Sequence, residues 1–245
     1  MIDLDALRDR SFLASWEWPA ACESTNCLAR TTTQSLPQLI GTDEQTAGRG
    51  RSGKTWSSQP GDLTLSIAFP SDERSSVVEP LGVGLAVART CETLGVRFAG
   101  LKWPNDVGVL RGGRFQKLAG VLIESFADRI VVGIGLNLVA GSAHPDRTDV
   151  ATETRRDAVS LQNAVEQLID ELHQIRDQSF ISVLDAAERR NLLVGRTVES
   201  DAVDPLTVIS FGPDGSLVGT DASGTPVSVR TGSIRLADDH TQSMM

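Results

Sequence analysis

The stretch of this chain best equipped for chemistry is EQTAGRGRSGKTWSSQPG, residues 44–61. Arg49, Arg51 and Lys54 lie within six residues, interleaved with Gly48, Gly50 and Gly53 and closed by Trp56. Guanidinium groups fork onto carboxylate or phosphate oxygens. Glycine lets backbone approach a ligand closely and keeps a loop mobile. Together they suit a loop that folds onto a small anion. Gly48–Thr55 also fits the phosphate-loop pattern G-x-x-x-x-G-K-[ST], but a true phosphate loop opens a helix whose first amides hold the phosphates. Here Pro60-Gly61 and an alternating apolar run follow at once, and proline forbids a continuing helix. A phosphate-loop triphosphatase is therefore disfavoured. The bland alternative is a surface hairpin with solvated charges.

Four further segments carry polar or cationic groups. LKWPNDV, 101–107, ends a strand with Lys102 and turns through Pro104-Asn105-Asp106; it is good turn chemistry in its own right. QKLAGVLIES, 116–125, places Lys117 at the entry of an apolar strand whose Gly120 leaves room for a ligand. A lysine shielded from water acts more strongly on an anion. VVGIGLNLV, 131–139, is a strand softened by Gly133 and Gly135 and followed by Asn137; without a third glycine opening a helix it is no dinucleotide fingerprint. CESTNCLA, 22–29, sets Ser24, Thr25 and Asn26 ahead of a helix, as an N-cap or as hydrogen-bonding groups for a polar ligand ring. His144, His173 and His240 are scattered and Cys22 and Cys27 lack a matching pair, so no metal cluster is expected. Cys91 lies on an apolar helical face and is expected in the core.

The elements that must position these groups follow from periodicity. Leu63, Leu65, Ile67 and Phe69 alternate as a half-buried strand does. Residues 77–95 space Val77, Leu81, Leu85, Ala88 and Cys91 as an amphipathic helix stopped by Gly95. Residues 96–103, 118–126 and 129–139 are expected strands, with a tight hairpin at Gly112-Gly113. Leu161 to Ile175 forms a second helical stripe and a third helix is expected near 179–191. After Gly195 the texture changes to short strands at 196–200, 206–211, 215–219, 226–230 and 233–236, as in a small, partly closed barrel. The expected division is a first α+β domain, residues 1–192, and a small β domain, residues 193–245.

Composition limits the rest. The 245 residues carry a net charge of −9, which disfavours nucleic acid as principal partner. No apolar run approaches the roughly 18 residues of a membrane span. The acidic N-terminus lacks a signal-peptide core, and three cysteines are too few for a disulfide framework. A cytoplasmic protein is the expectation.

ESTN, EQTAGRGRSGKTW, KWPND, KLAG and GIGLN, in this order, resemble the biotin protein ligase family. The resemblance is strong over about residues 20–140 and looser over 150–240. It implies a catalytic domain like that of class II aminoacyl-tRNA synthetases, followed by a small SH3-like barrel. It implies an enzyme that makes biotinyl-5′-AMP from biotin and ATP with Mg²⁺. Biotin would then pass to one lysine of a biotin carboxyl carrier protein or domain. Carried over by motif, Ser24, Thr25, Asn26, Gln45, Arg49 and Gly120 would hold biotin, and the loop from Gly48 through Gly50 and Arg51 to Trp56 would close over it. Lys117 would touch the carboxylate and activated phosphate, with Arg49 and Arg51 as the other catalytic cations. Arg51, Lys54, Trp56, Lys102, Asn105, Asp106 and Asn137 would lie on the nucleotide side, Asp106 also toward the metal.

Two departures stand out. Gln116 replaces the arginine that usually enters KLAG, and the barrel lacks the usual Gly-Ile-Asp, with Gly219-Thr220-Asp221 near its place. The first motif begins at Glu23, so a DNA-binding winged helix is not expected. A homodimer through a sheet edge is an open expectation that no motif supports. The enzyme alternatives are a lipoate or octanoate ligase or transferase; the non-enzymatic one is a biotin-binding module.

Overall fold

A computed structural model describes residues 2–10, 12–141, 146–201 and 203–237. His144 and His240 lie outside them. The elements in chain order are β1 (Ser15–Glu17), β2 (Ala21–Cys22), α1 (Thr25–Thr31), β3 (Gln38–Thr42), β4 (Glu44–Gln45), β5 (Leu63–Pro70), α2 (Pro80–Thr93), β6 (Gly100–Lys102), β7 (Asp106–Arg111), β8 (Arg114–Ser125) and β9 (Arg129–Leu136). Then come α3 (Val150–Thr154), α4 (Leu161–Arg176), α5 (Phe180–Glu188), β10 (Thr197–Ser200), β11 (Leu206–Phe211), β12 (Leu217–Thr220), β13 (Pro226–Val229) and β14 (Ile234–Leu236). Seven strands form one mixed sheet in the order β1-β3-β5-β9-β8-β7-β6, and the last five form an antiparallel sheet in the order β13-β12-β11-β10-β14. The α+β expectation holds. The described strand pairings of the small sheet leave β13 and β14 at its two edges.

The pleat of the large sheet assigns its two faces different work. Leu63, Leu65, Ile67 and Phe69 of β5 join the main core with residues of α2 and α4. Ala68, with Ala29, Ile40 and Val131, packs in a small cluster on the opposite face, under α1. The strand expected to be half-buried is thus covered on both faces, because α1 lies where an alternating pattern predicts solvent.

The expected helix from Val77 instead begins at Pro80. Ser76–Val78 forms a separate 3₁₀ turn, and Glu79 is extended at φ −110° and ψ 136°. A residue before proline is pushed out of the helical region, while proline suits the first helical position. Gly95 ends the segment at φ +107°, as its lack of a Cβ permits. The expected strand 96–103 shrinks to Gly100–Lys102. Gly112 and Gly113 turn the β7–β8 hairpin at φ +58° and +85°, so Gln116 does not disturb it. Cys91 is core, and burial pushes its thiol up to about 12. No helix among the described residues is long and apolar enough to cross a membrane.

Candidate active site

On the α1 face, register creates a strip with almost no side chains. Ser66 pairs with Gly133, Thr64 with Gly135, and Gly135 with Gly120. A Cβ on Gly135 would come within 2.3 Å of the Trp56 ring, and one on Gly133 within 2.0 Å of Asn26 Oδ1. The glycines therefore seat two large side chains directly on the backbone. A cavity of about 280 Å³ opens above this floor.

Lys117 reaches the same floor by a break in register. Val107 pairs with Ala119, but Gly108 pairs with Lys117, so Leu118 is the extra residue of a bulge. Strict alternation would put Lys117 and Gly120 on opposite faces. The bulge re-aims the lysine, and its Nζ lies about 3.0 Å from where a Gly120 Cβ would be. Lys117 Nζ pairs with Asp106 Oδ1 at 2.5 Å, and Lys102 Nζ stands 4.0 Å from Asp106 Oδ2. Lys117 also lies 5.3 Å from the Trp56 ring centroid. An incoming anion must therefore compete with Asp106 for Lys117.

The cationic loop is a small hairpin. Trp56 N donates to Gly48 O at 2.9 Å, Gly50 N donates to Lys54 O at 2.7 Å, and Arg49 bridges Thr55. A Cβ on Gly48 would meet Trp56 O at 2.4 Å, which explains that glycine. Its tip, Ser52-Gly53, is left-handed at φ 54° and 73°. No helix follows, as the argument against a phosphate loop requires. Arg51 Nη1 donates to Asn105 Oδ1 at 3.2 Å, and Asn105 Nδ2 donates to Val121 O at 2.8 Å.

The far end of the cavity is neutral and hydrogen-bonding. Thr25 N donates to Gln45 Oε1 at 2.9 Å. Ser66 Oγ lies 2.7 Å from Thr25 Oγ1 and 2.6 Å from Asn26 Oδ1, and Asn26 Nδ2 donates to Glu124 Oε2 at 2.8 Å. Ser24 is the N-cap residue of α1 by position, but its side chain makes no capping bond; it lines the cavity instead.

The cavity wall thus includes Ser24, Thr25, Asn26 and Gln45 at one end. Arg49, Gly50, Arg51, Lys54 and Trp56 line it from the loop, and Lys102, Asn105, Asp106, Lys117 and Gly120 from the sheet. Two expected residues are elsewhere. Gly48 lines a separate hollow on the other side of the loop. Asn137 is 4% exposed and absent from the cavity wall; its Nδ2 donates to Lys117 O and Thr148 O at 3.2 and 2.9 Å, which bolsters the bulge.

Two cations on the wall were not anticipated. Arg147 stands 5.4 Å from the Trp56 centroid, and its Nη1 donates to Ser57 O at 3.3 Å. Arg235 and Ile234 come from β14, with Ser233 just before it. Nothing local marks Arg147, a single arginine in a turn-rich segment. Arg235 sits in an alternating strand whose docking only the tertiary fold reveals. Trp103 helps that docking, its Nε1 donating to Gly215 O at 3.0 Å across the two sheets. Among the described residues, no group of three or more His, Cys, Asp or Glu could hold a metal ion.

Residues 21–138 match the model of the Biotin/lipoate A/B protein ligase family, a segment holding the entire cavity wall except Arg147 and the β14 residues. Within that class the likeness is to biotin protein ligases. The chain is 34% identical to the biotin–[acetyl-CoA-carboxylase] ligase of Mycobacterium tuberculosis, covering 47% of this chain and 50% of that protein. It is 30% identical to the bifunctional ligase/repressor of Bacillus subtilis, covering 54% and 40%. The chain spans between about a fifth and a half of the length of the curated relatives it matches. In structure it resembles the biotin protein ligase of Aquifex aeolicus in complex with biotin and ATP. That match has a TM-score of 0.78 and 25% identity, over 91% of this chain and 99% of the other. The fold also matches the Leishmania major ligase in complex with biotinyl-5-AMP, with a TM-score of 0.63 and 24% identity over 89% and 99%.

Proposed function

We propose that this chain is an ATP-dependent biotin–[biotin carboxyl carrier protein] ligase. One observation carries the reading: a single cavity joins a neutral hydrogen-bonding end, Thr25-Asn26-Gln45, to a cationic end, Lys117-Lys102-Arg51, across a glycine floor capped by Trp56. A cyclic urea fits the first end, a thioether ring and aliphatic chain the stretch beside Trp56, and a carboxylate meeting a phosphate the second. In this proposal residues 1–192 form the class II synthetase-like catalytic domain and 193–245 an SH3-like barrel that lends Arg235. The setting is cytoplasmic.

Adenylation brings a carboxylate against the α-phosphate of ATP, and negative charge grows on the phosphoryl oxygens. Fixed cations offset that charge best where water is excluded. Arg49, Arg51, Lys102 and Lys117 supply them, Lys117 exchanging Asp106 for the ligand. The acid is already ionised, so this step needs no base. The acyl–phosphate bond forms as pyrophosphate leaves. In the second step an acceptor lysine amine attacks the acyl carbon, the amide bond forms, AMP leaves and the nitrogen loses a proton.

Mg²⁺ usually binds through one or two carboxylates plus substrate phosphates. Asp106 fits that pattern as the single carboxylate among the described residues of the cavity wall. When bound, the ion would neutralise phosphate charge.

Pyrophosphate exchange into ATP driven by biotin tests the reading. Exchange driven by lipoate instead would favour the lipoate ligase, and biotin binding without exchange a non-catalytic module. A second expectation concerns the loop. Its backbone bonds are few and its tip is exposed, so ligand should order it and protect the mixed anhydride from water. Biotin with ATP should slow proteolysis within 48–56 by about tenfold, on the ordinary scale of linked binding. Equal cleavage with and without ligand would remove the lid from the mechanism.

A further inference from the structure

We infer that Glu124 is a positioning residue that fixes which atoms of the neutral end accept hydrogen bonds and which donate, and thereby selects a cyclic urea; this rests on the proposed biotin ligase reading. Glu124 Oε2, a carboxylate oxygen, can only accept, so the Asn26 atom 2.8 Å away is its Nδ2. Asn26 must then present Oδ1 to Ser66, at 2.6 Å, against the backbone of Gly133. An amide oxygen has no proton, so the one Ser66 hydroxyl proton is committed to Asn26. Ser66 Oγ, 2.7 Å from Thr25 Oγ1, is then free to accept, and the Thr25 proton has two acceptors in reach, Ser66 Oγ and Gln45 Oε1 at 3.3 Å.

Thr25 Oγ1 consequently meets the cavity with lone pairs only. Gln45 has its Oε1 engaged by Thr25 N, which leaves its Nε2 to donate. The end of the cavity offers an acceptor for a ureido N–H and a donor for a ureido carbonyl. The direction of the Asn26 and Ser66 protons traces back to the carboxylate at the outer end of the relay. Glu124 lies in the hollow on the far side of the loop, and it is not part of the cavity wall.

Glutamine at this position can donate, which lets the relay run backwards. Asn26 then turns its Nδ2 to Ser66, Ser66 donates to Thr25, and the Thr25 proton turns to Gln45 Oε1 or the cavity, so that one lone pair in place of two remains for a ureido N–H. In Glu124→Gln, the KM for biotin in pyrophosphate exchange should rise about tenfold, the value of one hydrogen bond. The KM for ATP and kcat at saturating biotin should stay within about twofold on the same scale. Biotin analogues methylated on one or the other ureido nitrogen give the readout a merely structural role would not move. The preference for biotin over the disfavoured isomer should drop by a similar factor. The preference for biotin over desthiobiotin, which keeps the urea and changes the ring, should not change. Ser66→Ala breaks the relay at its middle and should produce the same selective loss. Unchanged biotin KM in Glu124→Gln, or both preferences falling together, overturns the inference while leaving the ligase reading standing. A wild-type protein without biotin-driven exchange overturns the ligase reading, and the inference with it.

Discussion

In the proposed ligase, Lys117→Ala is expected to lower biotin-dependent adenylate formation by about 100-fold or more, the usual loss when one fixed charge-stabilising contact is removed from a water-excluded site. Three features make this the most damaging single change on the cavity wall. The lysine is turned onto the glycine floor by a bulge, and the backbone around that bulge is tied down by Lys117 N to Asp146 O at 2.8 Å and Asn137 N to Leu118 O at 2.9 Å. Its ammonium lies beside the Trp56 ring, 5.3 Å from the centroid, and against the glycine floor at Gly120. Truncation also leaves Asp106, among the described residues, with the 4.0 Å approach of Lys102 as its remaining ion pair, a less well offset negative charge where substrate anions must come. The loss should fall mainly on kcat, because charge grows in the transition state. Single-turnover formation of AMP-linked biotin measures it. A fall under about tenfold, against the expectation from such contacts, would mean that Lys117 is a strut for Asp106.

The chemistry was legible in the sequence where it resided in one contiguous motif. The cationic glycine loop, KWPND, KLAG and ESTN converge on one cavity because each contributes through a side chain at its own position. What depended on register was hidden. Gly133 reads as a softened strand, yet it is the seat of Asn26, and only the pairing of β5, β8 and β9 shows Gly120 and Gly135 side by side. The bulge at Leu118 adds no residue type that a pattern would reveal, so Lys117 reads as a strand-entry lysine although β8 begins at Arg114. Asn137 carries the mark of a ligand-binding asparagine, but buried backbone carbonyls claim its amide. Periodicity located α4 nearly to the residue and overran at Val77, where Pro80 decided the boundary, while the helix expected near 179–191 ends at Glu188. Arg147 and Arg235 came from parts of the chain with no local signal at all.

Asp62→Ala lowers stability by roughly 3 kcal/mol, or about 6–12 °C in Tm for a chain of this size. Asp62 is 4% exposed. Its Oδ2 accepts from Gln59 N at 2.9 Å, and its Oδ1 from Leu138 N and Val139 N at 2.9 and 3.3 Å. The side chain clamps the exit of the cationic loop to the end of β9, immediately after Asn137. Alanine removes the acceptor of three backbone N–H groups, those of Gln59 and Val139 part-buried and that of Leu138 buried, and a buried unsatisfied donor costs about 1–3 kcal/mol. The total stays near the lower end because the carboxylate is itself costly to bury. Burial pushes its pKa above the ordinary value, and the three backbone bonds pull it only part of the way back. The folded chain therefore holds this proton more tightly than the unfolded chain does. The residue's contribution to stability declines as pH rises through the window between the ordinary and the raised value. Asp62→Asn keeps an acceptor for Leu138 and Val139 but turns its amide toward Gln59 N–H. It should cost about half as much as alanine, and it should abolish that acid-range slope. Urea unfolding across the acid range separates these contributions. An alanine variant within about 0.5 kcal/mol of wild type, the range of a neutral surface change, would show that water replaces the clamp.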